Sequence, residues 1–409
     1  MSAVAEPLAR ASHDDSLARR NAMVLAVAQA LGGANNTIIF STASIVGSVI
    51  APDKGLATLP VTCTVLGMWI GTLPVGWLAR HLGRRSALQI GTLFGMASGL
   101  ISCAAVIGGN FWLFLFGTFC GGLYAAAFQS YRFAAADTAS ESYRAKAVSW
   151  VLAGGVFAGV LGPQIVIFTT DLLTPYTFAA TYLGLAACAV IAIGVLQLVR
   201  IPKPVVRHGE SGRPLFEIVR APRFVVAVVC GVTAYAVMNL VMTAAPLAMI
   251  GCGHSVTQAT LGIQWHVLAM YGPSFVTGSV IARYGVNRVT VAGLVLLGLT
   301  AVAGLSGTSV AHFWTALILL GLGWNLAFIG ATTMVTACHR PEERTKVQSF
   351  NDFLIFGAMA MSSFSSGQVL AYFGWNTINV MIFPAVLLTG GLLLWMALRR
   401  RAEAAAEMV

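Results

Sequence analysis

Residues 76–85 read GWLARHLGRR. Three arginines and a histidine stand there between two apolar stretches, in a 409-residue chain that is 57% hydrophobic and only 9% charged. A soluble globular chain is about a quarter charged. With a mean hydropathy of +0.81, this chain lacks the side chains to build a water-facing surface, so the solvent for most of it is lipid. Lipid satisfies no backbone hydrogen bonds, so only helices or closed barrels cross it. The apolar runs are continuous and about 20 to 28 residues long, which is helix length rather than the ~10-residue alternation of barrel strands.

Working outward from that loop, twelve apolar runs lie near 22–50, 56–79, 86–108, 112–136, 147–170, 176–199, 222–250, 256–282, 289–309, 311–337, 347–372 and 376–398. The polar stretch 200–221 divides them six and six. The expected organisation is a tail over 1–21, a first bundle over 22–199, a linker over 200–221, a second bundle over 222–398 and a tail over 399–409. If the N-terminus lies inside, 22 of the 24 Lys and Arg residues fall on inner segments, only Lys54 falls outside and only Arg132 falls within a span. That is the positive-inside pattern. It places both termini and the linker in the cytoplasm and makes the net charge of +10 an orientation signal, not a nucleic-acid footprint. GWLARHLGRR is one of these inner loops.

The two halves also repeat. GWLARHLGRR at 76 matches GSVIARYGVNR at 278, with Gly76 and Gly83 on Gly278 and Gly285. ESYRAKAVSW at 141 matches EERTKVQSF at 342, with Arg144 on Arg344 and Lys146 on Lys346. The offsets are 202 and 200 residues, which indicates a parallel repeat of six helices. Transporters are commonly built from such repeats, with the substrate site at their interface.

With these features the chain resembles the major facilitator superfamily over roughly residues 20–400. That family's loop between helices 2 and 3 carries Gly, three residues, Asp, a basic residue, any residue, Gly, any residue and a basic residue. The matching positions are Gly76, Arg80, His81, Gly83 and Arg85. Ala136-Asp137 through Glu141 to Arg144 resembles the family's loop after helix 4. The resemblance implies an all-α membrane protein of two pseudo-repeated six-helix bundles in a bacterial inner membrane. It also implies that the loop latches the halves near the start of helix 11. The family's acid is Arg80 in this chain, and a positive helix N-terminus does not suit an arginine. Asp352 lies in the first turns of helix 11, so the expectation is a swapped latch: Arg80 with Asp352, and Arg84 with Asp137. Gly76 allows close helix approach, and Gly83 allows a tight turn.

Polar side chains recur on every third helix. Helix 1 carries Gln29, Asn35 and Asn36; helix 4 carries Gln129, Tyr131 and Arg132; helix 7 carries Tyr235 and Asn239; helix 10 carries Trp324 and Asn325. Helices 3, 6, 9 and 12 are nearly free of them. In the resembled fold helices 1, 4, 7 and 10 line the cavity. Gln29 and Asn36 are seven apart and share a face; helix 8 adds Gln264, His266 and Tyr271. This set reads as a substrate-cavity lining, since intramembrane polar groups face a bundle interior or water. The competing reading is interhelical hydrogen bonding that only joins helices. Arg132 reads either as a snorkelling or Asp137-paired residue or as a counter-charge for an anionic substrate. Asp352 is the sole acid within the second half's spans and the candidate proton carrier; one residue can carry protons and latch.

No cofactor, metal site or disulfide framework is expected. The seven cysteines form no CxxC pair and lie mostly in apolar runs, where they act as small hydrophobes. HExxH, GxSxG and GxxxxGK[ST] are absent, which speaks against an enzyme or an ATP-driven pump. Helix 5 reads GGVFAGVLGPQ over 154–164, part of the glycine-rich pattern of the family's drug–proton antiporters. Its closing glycine pair is missing, and the family's helix-4 arginine falls on Gly117. The expectation is a monomeric secondary transporter of a small organic solute, proton-coupled and leaning to export. The alternatives are import of a polar or anionic nutrient, or a transporter-like sensor without flux.

Overall fold

The computed structural model describes residues 15–201, 212–340 and 343–406. Twelve helices carry the fold: α1 (Ser16–Ile50), α2 (Leu59–His81), α3 (Arg84–Ile107), α4 (Phe111–Gln129, prolonged past Ser130 by Tyr131–Ala136), α5 (Glu141–Thr169) and α6 (Ala179–Leu196). A short helix, Leu215–Val219, leads into α7 (Pro222–Gly251). Then come α8 (Val256–Tyr271 and Ser274–Tyr284), α9 (Val286–Leu305), α10 (Val310–Thr336), α11 (Arg344–Val380) and α12 (Ile382–Ala406).

Three of these depart from the apolar runs. The run 256–282 is not one straight helix, because Gly272-Pro273 interrupts α8; proline supplies no N–H to the helix ladder. Near the C-terminus, Gly374 sits inside α11 at φ 78, ψ 178, so the twelfth crossing starts at Trp375, whose Nε1 donates to Gly304 O at 3.1 Å. The stretch Lys346–Arg399 is 54 residues long, roughly 80 Å of helix at 1.5 Å per residue, enough for two crossings of a ~30 Å hydrocarbon core. At its other end α12 runs on to Ala406, past the span expected to stop at 398.

The repeat is visible in the backbone. Gly83 ends the α2–α3 turn at φ 90, and Gly285 ends the α8–α9 turn at φ 85. Both begin the next helix from a left-handed conformation that a Cβ disfavours.

The first six helices pack on one another and the last six do likewise. Backbones meet closely where glycines face them. A Cβ on Gly122 of α4 would lie 2.0 Å from Thr64 O of α2, and one on Gly67 would lie 2.3 Å from Phe119 O. Between the halves, α5 lies against α8, with Gly155 facing Tyr271 and Gly159 facing Val267. Likewise α2 lies against α11, with Trp69 and Phe353 rings 4.9 Å apart. Large apolar side chains on α3, α6, α9 and α12, among them Phe94, Ile191, Val295 and Leu387, point away from the protein, the surface a lipid-facing helix needs.

Candidate functional site

A narrow cavity of roughly 70 Å³ lies where the halves meet. From α1 come Gln29, Gly33, Asn36 and Phe40; from α4, Phe128 and Gln129; from α7, Tyr235, Met238 and Met242; from α8, Met270 and Tyr271. Met68 of α2 and Met359 of α11 complete the wall. The contributions follow helical periodicity: Gln29, Gly33 and Asn36 share a face, as do Tyr235, Met238 and Met242. The wall is therefore aromatic and thioether, with three side-chain amides set into it.

Behind it stands an aromatic stack. Tyr235 meets Phe328 edge-on at 4.7 Å and Trp324 at 5.1 Å. Trp324 and Phe328 lie face to face at 5.0 Å, and Tyr271 reaches the Trp324 ring at 6.3 Å. Offset and edge contacts of this kind are the preferred aromatic geometries.

A second cavity of roughly 240 Å³ adjoins the first, because Gln129 and Tyr235 line both. It runs toward the face that carries the basic loops and is lined by Gly76, Arg84, Ser130, Arg132, Phe328, Asp352 and Phe356 among others. Arg132, on the turn of α4 beyond Ser130, lies with its guanidinium carbon 4.8 Å from the Phe133 ring centre, and its Nε has no hydrogen-bond partner among the described residues. Asp352, on α11 of the other half, accepts from its neighbour Asn351 Nδ2 at 3.2 Å.

Of the residues expected to line the cavity, Gln29, Asn36, Gln129 and Tyr235 do so, and Arg132 lines the adjoining one. The others are placed elsewhere. Asn35 and Tyr131 are buried among helices, with Tyr131 Oη 3.4 Å from Thr92 Oγ1. Asn239 Nδ2 donates to Met359 O at 2.9 Å, joining α7 to α11. Gln264 accepts from Gln164 at 2.9 Å. His266 Nδ1 sits 2.8 Å from Leu317 O, between α8 and α10. Trp324 backs the wall. Asn325 spans the break in α8: its Nδ2 reaches Met270 O at 2.6 Å and Ser274 Oγ at 2.7 Å, and its Oδ1 accepts from Thr277 at 2.6 Å. A buried amide satisfies its hydrogen bonds wherever partners exist, and a broken helix offers them. The methionines of the wall carried a signal, since Met238 and Met242 share the Tyr235 face; an apolar stripe reads as packing until the facing bundle is known.

In the basic loops, Arg84 Nε lies 2.8 Å from Asp137 Oδ2. The Arg80 side chain, and with it the expected pair with Asp352, lies outside the described residues. Arg132 is not the partner of Asp137, because Arg84 occupies that carboxylate.

At the opposite face the halves are sealed. Thr58 Oγ1 donates to Ser363 O at 3.3 Å, Thr62 Oγ1 to Ser363 Oγ at 3.2 Å and Gln368 Nε2 to Gly55 O at 3.0 Å. The Gln164–Gln264 bond joins α5 to α8 on the same side. With this seal and a cavity reaching toward the basic loops, the halves are closed on one side and open toward the other.

Sequence comparison matches the Major Facilitator Superfamily model to residues 25–273 and again to 229–407. The riboflavin transporter RfnT of Brucella anthropi is 48% identical over 379 residues, 92% of this chain and 95% of the relative. Among solved structures, the nucleoside transporter NupG superposes with a TM-score of 0.73 at 12% identity, covering 93% of this chain and all of that one. The D-xylose-proton symporter superposes with a TM-score of 0.70 at 16% identity, covering 91% and 96%.

Proposed function

The chain belongs to the Major Facilitator Superfamily and is a membrane transporter of small solutes rather than an enzyme; from that premise we propose that its substrate is riboflavin or a close flavin. The observation that supports this most is the wall of the central cavity, read beside the 48% identity with a riboflavin transporter. A flavin is a flat heteroaromatic ring with a polar dione edge and a hydroxylated side chain. Phe128, Tyr235 and Tyr271 offer ring faces and edges, and the five methionines Met68, Met238, Met242, Met270 and Met359 give a polarizable surface that adapts to a flat ring. Gln29, Asn36 and Gln129 supply paired donors and acceptors for the dione.

The two bundles, 22–199 and 222–398, move as bodies about this cavity, with the basic face and both termini cytoplasmic, as the positive-inside pattern supports. The cavity is built within one chain, which supports a monomer. Asp352 is the carboxyl placed to carry a coupling proton. The glycines of α5, which suggested export, are taken up by packing: Gly154 faces Ala26 O, Gly159 faces Val267 and Gly162 faces Thr37. We therefore take proton-coupled import as the direction.

The test is uptake of labelled riboflavin by proteoliposomes carrying an inward-directed proton gradient. Saturable accumulation that collapses with a protonophore is expected. In Asp352→Asn protein, gradient-driven accumulation is lost while counterflow exchange persists. Absence of any saturable riboflavin flux overturns the substrate. Accumulation that survives in Asp352→Asn overturns the coupling role.

A further inference from the structure

The mechanism above uses the aromatic cavity and leaves the adjoining one without a ligand group. That second cavity holds an uncommon pairing for a membrane interior. Arg132 from the first half and Asp352 from the second line one space, and among the described residues they make no close ion pair with each other. Intramembrane charges are costly and mark functional sites by default. Asp137, five residues after Arg132, is engaged by Arg84 at 2.8 Å.

Resting on the flavin reading, we propose that Arg132 and Asp352 hold the hydroxylated side chain of the substrate and select the free polyol over both the bare ring and its phosphate ester. Gln129 and Tyr235 belong to both cavities, so a ring seated against Tyr235 directs its side chain into the charged space. Each hydroxyl is a donor and two acceptors. A polyol therefore accepts from the Arg132 guanidinium and donates to the Asp352 carboxylate together, which neither an anion nor an apolar group does. A ring without its side chain leaves both charges unpaired, and sites built to hydrogen-bond a hydroxyl discriminate strongly against a ligand that lacks it. A terminal phosphate gains from Arg132 but is brought against Asp352, a repulsive element of the kind that sharpens specificity.

The experiment uses purified full-length protein in detergent and reads binding by quenching of ligand fluorescence for riboflavin, for the ring lacking its side chain, and for the phosphate ester. In Arg132→Leu, riboflavin Kd rises about tenfold or more while Kd for the bare ring stays within twofold; about tenfold is the loss of one ~1.4 kcal/mol contact. In Asp352→Asn, the preference for riboflavin over the ester narrows by about tenfold. The riboflavin-to-ring ratio is measured on the same sample, so a poorly folded variant that weakens both equally counts against the proposal. Arg132→Lys, which keeps the charge, retains part of the selectivity. Equal weakening of riboflavin and bare ring, or an unchanged ester preference in Asp352→Asn, overturns the proposal. If wild-type protein binds none of the three, the flavin reading itself falls, and that outcome is distinguished by the wild-type arm alone.

Discussion

Arg213 grips Glu343 with both arms of its guanidinium: Nε lies 2.9 Å from Oε1 and Nη2 lies 2.9 Å from Oε2. The Glu343 side chain is fully buried and also accepts from the backbone N–H groups of Arg213 and Arg340, each at 2.9 Å. Lys346 Nζ closes the cluster on Arg213 O. The pair ties the end of the segment before α7 to the loop between α10 and α11. In the first half, Asp15 does the same for the loop after α4, accepting from Ser140 N at 3.0 Å and Ser140 Oγ at 2.7 Å. Bidentate Arg–carboxylate pairs combine strength with fixed geometry.

Glu343→Gln turns one acceptor oxygen into a donor facing Arg213, so the thermal unfolding midpoint in detergent drops by a few degrees. Arg213→Met in the same background adds little, since the two residues act as one unit. Differential scanning fluorimetry of the single and double variants checks both statements.

The same clip sets a pH expectation. The Arg213 guanidinium first, and then the Arg340 N–H, hold the Glu343 carboxyl well below its ordinary value of 4.5. A depressed folded-state pKa gives stability that is present above the unfolded value and lost as pH falls toward the folded one. The clip's contribution is therefore flat from neutral pH down to about 5 and declines only below the ordinary value. In a midpoint-against-pH series, the wild-type minus Glu343→Gln difference stays constant through mild acid and shrinks below it.

Asn325→Leu removes three hydrogen bonds at the break in α8 and leaves the buried Met270 O without its amide donor, while Thr277 keeps its bond to Pro273 O at 2.9 Å. A buried group left unsatisfied costs about 1–3 kcal/mol. Stability falls while ligand Kd changes less than threefold, because Asn325 reaches no cavity wall. Paired melting and binding measurements separate the two effects.

Tyr235→Ala removes the ring shared by both cavities, and substrate KM rises about tenfold, the scale of one aromatic contact plus its packing. Tyr235→Phe keeps the ring and stays near wild type. Initial uptake rates over a concentration series check this.

Gly367→Leu probes the sealed side. A Cβ there would lie 2.1 Å from Thr58 Oγ1, so a larger side chain forces the halves apart at that end. Flux falls while equilibrium binding persists, as fluorescence binding and proteoliposome uptake together show.

The fold was legible because each of its signals is a long-range average. Span length, charge placement and a 200-residue repeat do not depend on any one contact, and Gly83 with Gly285 marks the repeat in sequence and backbone alike. The Arg84–Asp137 contact, 2.8 Å across two short loops, was suggested by the resemblance rather than by any spacing in the chain. The cavity was legible where polar residues share one helix face, as Gln29 and Asn36 do seven residues apart. Asn239, His266 and Asn325 have the same residue types and the same helices, but each meets a carbonyl on an adjacent helix that only packing reveals. The break in α8, which creates the partners of Asn325, was written as Gly272-Pro273 inside an otherwise continuous apolar run. The methionine wall stayed hidden because the face that Met238 and Met242 share with Tyr235 reads equally as packing until the facing bundle is known.

Trp324 is 5% exposed, stacks on Phe328 and touches Tyr235 edge-on, which puts an indole one ring behind the ligand chamber. Indole emits in the near ultraviolet, where a flavin absorbs, and energy passes between such a donor and acceptor steeply with their separation. If the chamber holds a flavin as proposed, its occupancy would dim this indole most strongly among the nine tryptophans, and a Trp324→Phe variant would weaken that dimming while leaving the stack in place.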